Sequence, residues 1–360
     1  MNPSPYNFTW PFSPPDNIVL VIAIILGKIL VMVAAAMLHV AYCTWFERKI
    51  IGHMQVRIGP NRVGPFGLLQ PIADGIKLFF KEDVIPRPGV GSTKFRIVFK
   101  VAPLLVLFAT LSSLAVVPVF EAFYIANINI GLLYILALSA VSTYGIIMAG
   151  WASDSKYAFL GSLRSSAQLI SYEVAMGLSL VGVMMLAGSL NFIDIVKAQQ
   201  TSWHGMYLIP QFLGYFVFMV SALAETNRAP FDLPEAESEL VAGYFVEYSG
   251  MRFALFFLGE YIAMIVMSCV AVLCFWGGWG LPPVLYKVVP ALNDLPQSVK
   301  TFVEAVVFLC KVYSHLFLYY WIRATLPRYR YDQLMRIGWT VLIPLALVNI
   351  VITALVKYFF

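Results

Sequence analysis

Charged residues are scarce in this sequence. Asp, Glu, Lys and Arg make up 12% of its 360 residues, whereas a soluble domain carries about 25%. Hydrophobic residues make up 60%, and the mean hydropathy is +0.80. So few charges cannot cover a water-facing surface, and hydrophobic blocks follow one another with no polar linker between them. The composition therefore predicts a single membrane domain over residues 1–360.

Cysteine is scarce as well. The four cysteines lie in apolar stretches, none forms a CxxC pair, and no His or second Cys stands at metal-ligand spacing. We interpret them as small buried hydrophobic residues, and we expect neither a metal site nor an iron–sulfur cluster, which needs four such ligands. The sequence also lacks a P-loop, a dinucleotide-binding GxGxxG, a nucleophile elbow and an HExxH motif. We expect no complete active site on this chain alone.

Long apolar blocks are what the sequence has in abundance. A transmembrane helix needs roughly 20 apolar residues, and suitable blocks lie near 17–45, 99–120, 131–151, 169–188, 208–224, 253–276, 302–323 and 338–359. The sequence therefore predicts an all-α integral membrane protein with about eight transmembrane helices. An even number of spans places both termini on the same side.

The basic residues are divided unequally between alternate loops. Sixteen Lys and Arg residues lie in the odd-numbered loops, and only four lie on the opposite face. Positive charge accumulates on the cytoplasmic side of membrane proteins. The long loop 46–98 and the acidic loop 225–252 are therefore predicted to face the cytoplasm or the mitochondrial matrix. Both termini are predicted to face the periplasm or the intermembrane space.

The loop 46–98 is too long to be a simple turn. Gly59-Pro60 and Gly64-Pro65 mark tight turns near its start. Over 68–81, apolar residues recur at helical spacing with charged residues on the other side. This pattern predicts an amphipathic helix that lies at the membrane interface.

Acidic residues are concentrated in the loop 225–252 and in the spans beside it. Five carboxylates fall within fifteen residues, at Glu225, Asp232, Glu235, Glu237 and Glu239, with Arg228 among them. Glu173 and Glu260 carry further acids into neighbouring spans, where ionisable groups are costly and usually functional. Carboxylates that repel one another in a poorly solvated setting can exchange protons near neutral pH. This chemistry favours a proton-conducting chain over a merely solvated acidic loop.

Lys311 and His315 are also ionisable residues within a span. They lie one helical turn apart in the block 302–323. The sequence is compatible with two roles for this pair: hydrogen bonding to neighbouring helices, or proton transfer.

The cytoplasmic loops resemble those of a known family. The resemblance is carried, in order along nearly the whole chain, by Glu47-Arg48-Lys49 with Met54 to Pro65, by Gly161 to Ser165 with Ser171-Tyr172-Glu173, by Glu225 to Glu239, and by Leu326 to Leu334. These segments are similar to those of the membrane subunit in the quinone module of respiratory complex I, the proton-translocating NADH:quinone oxidoreductase.

The resemblance implies a function that the composition does not. In that family the subunit anchors the hydrophilic arm and builds most of the tunnel by which a membrane quinone, ubiquinone or menaquinone, reaches the terminal iron–sulfur cluster on a neighbouring subunit. Carried over to this sequence, the tunnel and chamber residues are Glu47, Arg48, Arg57, Asp74, Arg228 and Asp232. The proton relay is formed by Glu173, Glu225, Glu235, Glu237, Glu239 and Glu260.

The same resemblance implies the setting in which the chain works. We expect a subunit without a redox cofactor of its own in a proton-translocating oxidoreductase, located in the bacterial or mitochondrial inner membrane. Its partners would be hydrophilic quinone-module subunits, small and antiporter-like membrane subunits, lipid and quinone, with no nucleic acid. Three alternatives are the homologous membrane component of an energy-converting hydrogenase-type complex, a proton-coupled secondary transporter and a purely structural anchor for the peripheral arm.

Overall fold

The chain folds into helices. The computed structural model describes residues 18–85, 93–121, 123–201, 205–233, 242–281 and 296–359, and within these ranges it contains no β-strand. The α-helices are α1 Ile18–Met54, α2 Gln70–Phe80, α3 Thr93–Ser113, α4 Gly131–Ala152, α5 Lys156–Ala187, α6 Phe192–Thr201, α7 Phe212–Glu225, α8 Gly250–Phe275, α9 Gln297–Thr325, α10 Tyr331–Arg336 and α11 Ile343–Phe359. Short 3₁₀ turns lie at Pro65–Gly67, Leu114–Val116 and Gly243–Phe245, and a π-helical segment, Ile337–Leu342, joins α10 to α11.

The all-helical membrane architecture predicted from the sequence is confirmed. Among the described residues, seven helices are long and apolar enough to cross a membrane: α1, α3, α4, α5, α8, α9 and the continuous α10–α11. The remaining predicted span, 208–224, the fifth in chain order, corresponds to α7, which has 14 residues. At 1.5 Å per residue α7 is about 21 Å long, shorter than a hydrocarbon core of about 30 Å. The sides on which the termini lie stay a prediction.

Two helices extend well beyond their predicted boundaries. α1 continues to Met54 instead of ending near residue 45, and α5 begins at Lys156 instead of near 169. Both extensions carry charged or polar residues, which lower the local hydropathy without breaking helical geometry. As a consequence Glu47 lies in a helix and not in a loop. We call the end of the bundle at which α1 reaches Met54 the inner end, and the opposite end the outer end.

The amphipathic helix predicted over 68–81 is α2. It follows a tight turn in which Gly67 has φ +78°, and a Cβ there would lie 2.4 Å from the carbonyl oxygen of Pro60, so the turn requires glycine. No residue of α2 is buried, and its apolar side chains, such as Phe79 and Phe80, are exposed. An exposed apolar face on a short helix is typical of a helix that lies in the membrane interface.

α5 contacts several other helices of the bundle. It packs against α4, α7 and α11. Small residues allow the close approaches: a Cβ at Gly161 would lie 2.7 Å from the Cα of Gly243. Near the inner end, the Tyr172 hydroxyl donates to the carbonyl oxygen of Leu334 at 2.9 Å, which ties α5 to α10.

Candidate functional site

A buried carboxylate lies near the inner end of α1. Glu47 is 3% exposed. Its Oε1 accepts hydrogen bonds from Arg323 and, at 3.4 Å, from Nη1 of Arg228, and its Oε2 accepts the hydroxyl hydrogen of Tyr261 at 2.6 Å. The guanidinium of Arg228 also lies 4.3 Å from the ring centroid of Tyr261, a cation–π distance. We call these four residues the Glu47 cluster.

The Glu47 cluster joins four parts of the chain, namely α1, the loop after α7, α8 and α9. A buried charge is tolerated when it is paired and hydrogen-bonded, and here one carboxylate is shared by two guanidinium groups. Burial alone would lower the pKa of Arg228, but Tyr261 and Glu47 beside it outweigh that effect and raise the pKa above its ordinary value. Arg228 therefore stays charged, and the cluster carries one more positive than negative charge.

The other predicted tunnel residues are closer to the surface. Nη1 of Arg48 lies 2.7 Å from Oδ2 of Asp74, and this half-exposed ion pair joins α1 to α2. Arg57 is exposed and donates to Gln55 at 2.8 Å. Asp232 is half-buried in the loop after α7. The structure thus brings together two of the six predicted tunnel residues in the Glu47 cluster and two more in the neighbouring ion pair.

Three of the predicted relay acids line one connected series. Glu225 ends α7, is buried, and borders two small cavities of about 40 and 30 Å³ whose lining includes several hydroxyl groups. The larger cavity reaches Ser139, whose hydroxyl donates to Oε1 of Glu173 at 3.1 Å. The smaller one is lined by Glu260, whose Oε1 accepts a hydrogen bond from the Tyr244 hydroxyl at 3.3 Å. The order along the series is therefore Glu260, Glu225, Glu173.

The two cavities suit water. A cavity with a volume of about 10–15 Å³ can hold one water molecule if polar groups line it. Thr110 and Ser142 line both cavities and supply hydroxyl groups between the carboxylates. The smaller cavity therefore has the room and the hydrogen-bonding groups to bridge Glu260 and Glu225 through water, and the larger one has the room to link Glu225 to the Ser139 hydroxyl that donates to Glu173. The remaining predicted relay acids, Glu235, Glu237 and Glu239, lie outside the described residues.

α5 holds the loop that separates the cluster from the series. Nε2 of the buried Gln168 donates to the carbonyl oxygens of Ala224 and Phe231, at 2.7 and 2.8 Å. Between them Asn227 has φ +48°, a left-handed conformation that asparagine adopts more readily than most residues. These contacts fix the backbone between Glu225 and Arg228. The Glu225 side chain borders the two cavities, and the Arg228 side chain contacts Glu47.

Two members of the Glu47 cluster were missed in the sequence. Arg323 stands at the edge of the predicted span 302–323, where a basic side chain ordinarily reaches toward water. Tyr261 lies in an apolar block next to Glu260. The signal that could have found them was Glu47 itself, because a carboxylate inside a helix of the bundle requires partners from other helices.

Comparison with known proteins agrees with this architecture. The NADH dehydrogenase family model matches residues 27–354. A relative from Rhodospirillum rubrum, named as the H subunit of NADH-quinone oxidoreductase, is 56% identical over 316 residues, which is 88% of each chain. A relative of the same name from Rhodospirillum centenum is 52% identical over 92% of this chain and 93% of its own. Another, from Rickettsia typhi, is 51% identical over 94% of this chain and 95% of its own. The chain therefore belongs to the NADH dehydrogenase family, as a multi-pass membrane protein similar to the H subunit of NADH-quinone oxidoreductase.

Proposed function

We propose that the chain is the membrane subunit of a proton-translocating NADH:quinone oxidoreductase that forms the quinone-access tunnel and begins the acidic relay coupling quinone reduction to proton movement. The names of its relatives favour this complex over a hydrogenase-type one. The observation that carries the proposal is the proximity of the Glu47 cluster to the relay acids. Glu260 and Tyr261 are consecutive in α8, and Glu260 acts electrostatically on Arg228.

Quinone is the substrate at this site, held where the chain meets its neighbours. Reduction of the head group places negative charge near the inner end, and the excess positive charge of the Glu47 cluster attracts it. An anion that competes with Glu47 for Arg228 moves or partly neutralises that guanidinium. The loss of positive charge beside Glu260 raises its proton affinity, so Glu260 takes up a proton. When Arg228 returns to Glu47 that affinity falls again, and the proton passes through the smaller cavity to Glu225 and onward to Glu173. We assign the iron–sulfur cluster and the head-group ligands to neighbouring subunits.

An apolar cavity that lies outward of the cluster supports a site for the quinone tail. It has a volume of about 150 Å³, lies between α1, α8 and α9, and is lined almost entirely by apolar side chains such as Met32, Ile262 and Phe308, with His39 as the polar exception. Apolar pockets with few polar groups are the usual form of sites for hydrophobic ligands. Part of an isoprenoid tail fits this volume and this lining.

The setting follows from the same proposal. Hydrophilic quinone-module subunits dock on the inner end, over α2 and the loops around it. Small and antiporter-like membrane subunits lie beside the bundle and receive protons from the series that ends at Glu173. The complex resides in the bacterial inner membrane, or in the mitochondrial one.

Carboxylate-to-amide substitutions in the assembled complex test the proposal. Glu225→Gln and Glu260→Gln remove the exchangeable proton with little change of shape. We expect NADH oxidation by an artificial acceptor to be unchanged and quinone-coupled proton pumping to fall at least about tenfold, since a positioned proton-transfer group contributes that much or more. Asp194→Asn, on α6 at the outer end, is the matched control. Full pumping in both relay variants would refute the relay.

A further inference from the structure

The C-terminus of α1 is closed by a residue type that rarely occupies that position. The amide of Arg57 donates to the carbonyl oxygen of Gly52 at 2.8 Å, and the amide of Val56 donates to that of His53 at 3.1 Å. These two hydrogen bonds form a Schellman motif, in which the residue at the place of Val56 has a left-handed backbone and is usually glycine. Val56 has φ +56°. A β-branched residue is strained there, because its Cβ crowds the backbone.

The side chain of Val56 has no cover in the described part of the chain. Val56 is 95% exposed, and Ile58, two residues later, is 68% exposed. Neither the local conformation nor packing within the chain therefore explains a valine at this position. A strained residue is retained where its surroundings in the working protein make use of it.

The position of Val56 along α1 excludes lipid as its cover. Arg48 marks the point at which α1 leaves the apolar region, and Met54 lies six residues, about 9 Å, farther along the helix. The headgroup layer adds only about 5–8 Å to each side of the hydrocarbon core. Val56 therefore lies in the aqueous layer at the inner end. Phe66 is also left-handed and exposed, but Trp45 donates to its carbonyl oxygen at 3.2 Å, so Phe66 lies nearer the interface.

The turn that carries Val56 is held firmly against α1. Gly59 has φ +70°, and a Cβ there would lie 3.1 Å from the carbonyl oxygen of Arg48. A Cβ at Gly52 would likewise lie 3.1 Å from the Cα of Gly59. Backbone therefore packs directly on backbone at these glycines. A partner that binds Val56 meets a preformed turn and does not have to order it.

The charges beside Val56 indicate the kind of partner that fits. Arg57 and Arg62 are the only charged residues in the turn 55–66, and both are exposed. In the described part of the chain neither forms an ion pair, and Arg57 donates to the neutral Oε1 of Gln55 at 2.8 Å. Apolar anchors with arginine beside them are typical of the positions that dominate protein interfaces. The complementary surface is an apolar pocket with carboxylates on its rim.

We propose that Val56 is a docking anchor, which inserts into an apolar pocket of a hydrophilic subunit whose rim carries carboxylates for Arg57 and Arg62. This rests on the proposed assembly of the chain with hydrophilic subunits at its inner end. Burial of the Val56 side chain in that pocket offsets the strain of its backbone. The left-handed turn aims the side chain away from α1, so the anchor serves the assembly and not the fold of this chain.

The test uses the complete oxidoreductase in its membrane, with an affinity tag on this chain. Val56→Gly removes the side chain and suits the left-handed backbone, so a role confined to this chain predicts an unchanged or higher midpoint of thermal unfolding. Val56→Asp tolerates the same backbone but brings a carboxylate to an apolar pocket. Asp154→Gly is the matched control, because it also replaces an exposed left-handed residue, with φ +50°, in a turn at the inner end. The readout is the rate at which hydrophilic subunits dissociate from the tagged chain at raised salt concentration.

We expect hydrophilic subunits to dissociate at least about tenfold faster from Val56→Gly and Val56→Asp than from the wild type, because truncation of an anchor acts mainly on dissociation. The control should dissociate at the wild-type rate. Wild-type rates in both Val56 variants would overturn the anchor and leave the relay to be judged by Glu225→Gln. A lower midpoint of thermal unfolding in Val56→Gly would overturn the argument from strain. Absence of hydrophilic subunits from the tagged wild-type chain would overturn the proposed assembly together with the anchor.

Discussion

Replacing Glu47 by Gln leaves two guanidinium groups facing each other with no carboxylate between them. Arg228 is 5% exposed, and the side chain of Arg323 is 30% exposed. Removal of one partner from a buried ion pair lowers stability by about 3–5 kcal/mol, because the remaining charge is buried without compensation. Solvent reaches Arg323 and relieves part of that penalty. We therefore expect Glu47→Gln to destabilise the bundle by about 3 kcal/mol, the lower end of the range.

A double-mutant cycle separates the ion pair from other effects of the substitution. Arg228→Gln is expected to destabilise less than Glu47→Gln, because Glu47 keeps Arg323 and the hydrogen bond from Tyr261. In the double variant the two introduced amides face one remaining guanidinium, so the destabilisation is smaller than the sum of the two single effects. Groups in one buried network typically couple by about 0.5–3 kcal/mol.

The assay is thermal unfolding of the solubilised complex, followed by a fluorescent tag on this chain, with denaturant titration to obtain free energies of unfolding. The midpoint of thermal unfolding is expected to fall from wild type to Arg228→Gln and further to Glu47→Gln. The midpoint of the double variant is expected to lie above the value calculated by adding the two single decreases. Oxidation of NADH by an artificial acceptor shows that the remainder of the complex is intact. Strict additivity, or a Glu47→Gln midpoint equal to that of the wild type, would refute the pairing.

Four further substitutions test the packing and the ion pairs around the site. Gly161→Ala places a Cβ 2.7 Å from the backbone of Gly243 and should lower the midpoint of thermal unfolding. Gly177→Ala lies on the same helix, and a Cβ there has nothing within 4 Å, so the better helix propensity of alanine, about 1 kcal/mol, should raise that midpoint. Equal midpoints of the two variants would contradict this expectation. Gln168→Leu removes two buried hydrogen bonds, although the carbonyls of Ala224 and Phe231 keep their backbone donors Asn227 and Leu233. It should lower the free energy of unfolding by about 1–3 kcal/mol, with faster proteolysis of the loop after α7. Arg48→Gln breaks the half-exposed ion pair with Asp74 and should lower the free energy of unfolding by no more than about 1 kcal/mol. A larger loss would show that the pair is shielded from water.

The sequence predicted the helices well because a lipid-exposed backbone must satisfy its own hydrogen bonds. An apolar block of 20 residues can do this only as a helix, so composition alone identifies the spans. Composition fails where a helix leaves the apolar region. The charged residues at 47–49 end the hydropathy signal, yet no proline interrupts the chain there and α1 continues to Met54. Hydropathy therefore predicts which part of a helix lies in lipid, but not the residue at which the helix ends.

The candidate site could be predicted only in part. Glu47 and Arg228 were identified from the family resemblance of their loops, and Glu225 and Glu260 from the cost of acids in spans. Which of these groups meet could not be read from one sequence. Arg323 lies 276 residues from Glu47 along the chain, and pairing at that separation is decided by helix packing and not by local pattern.

In the proposed mechanism, coupling between the quinone side and the relay requires no long pathway. Successive residues of an α-helix point about 100° apart, so Glu260 and Tyr261 direct one side chain to the relay and one to the Glu47 cluster. Arg228 follows Glu225 by three residues, in a loop that Gln168 fixes. A charge that displaces the Arg228 guanidinium would therefore act on Glu260, whose neighbour in the chain, Tyr261, contacts Arg228 directly. Because charges interact strongly inside a poorly solvated bundle, the proposed relay can start through Coulomb interactions alone, without a concerted rearrangement of helices.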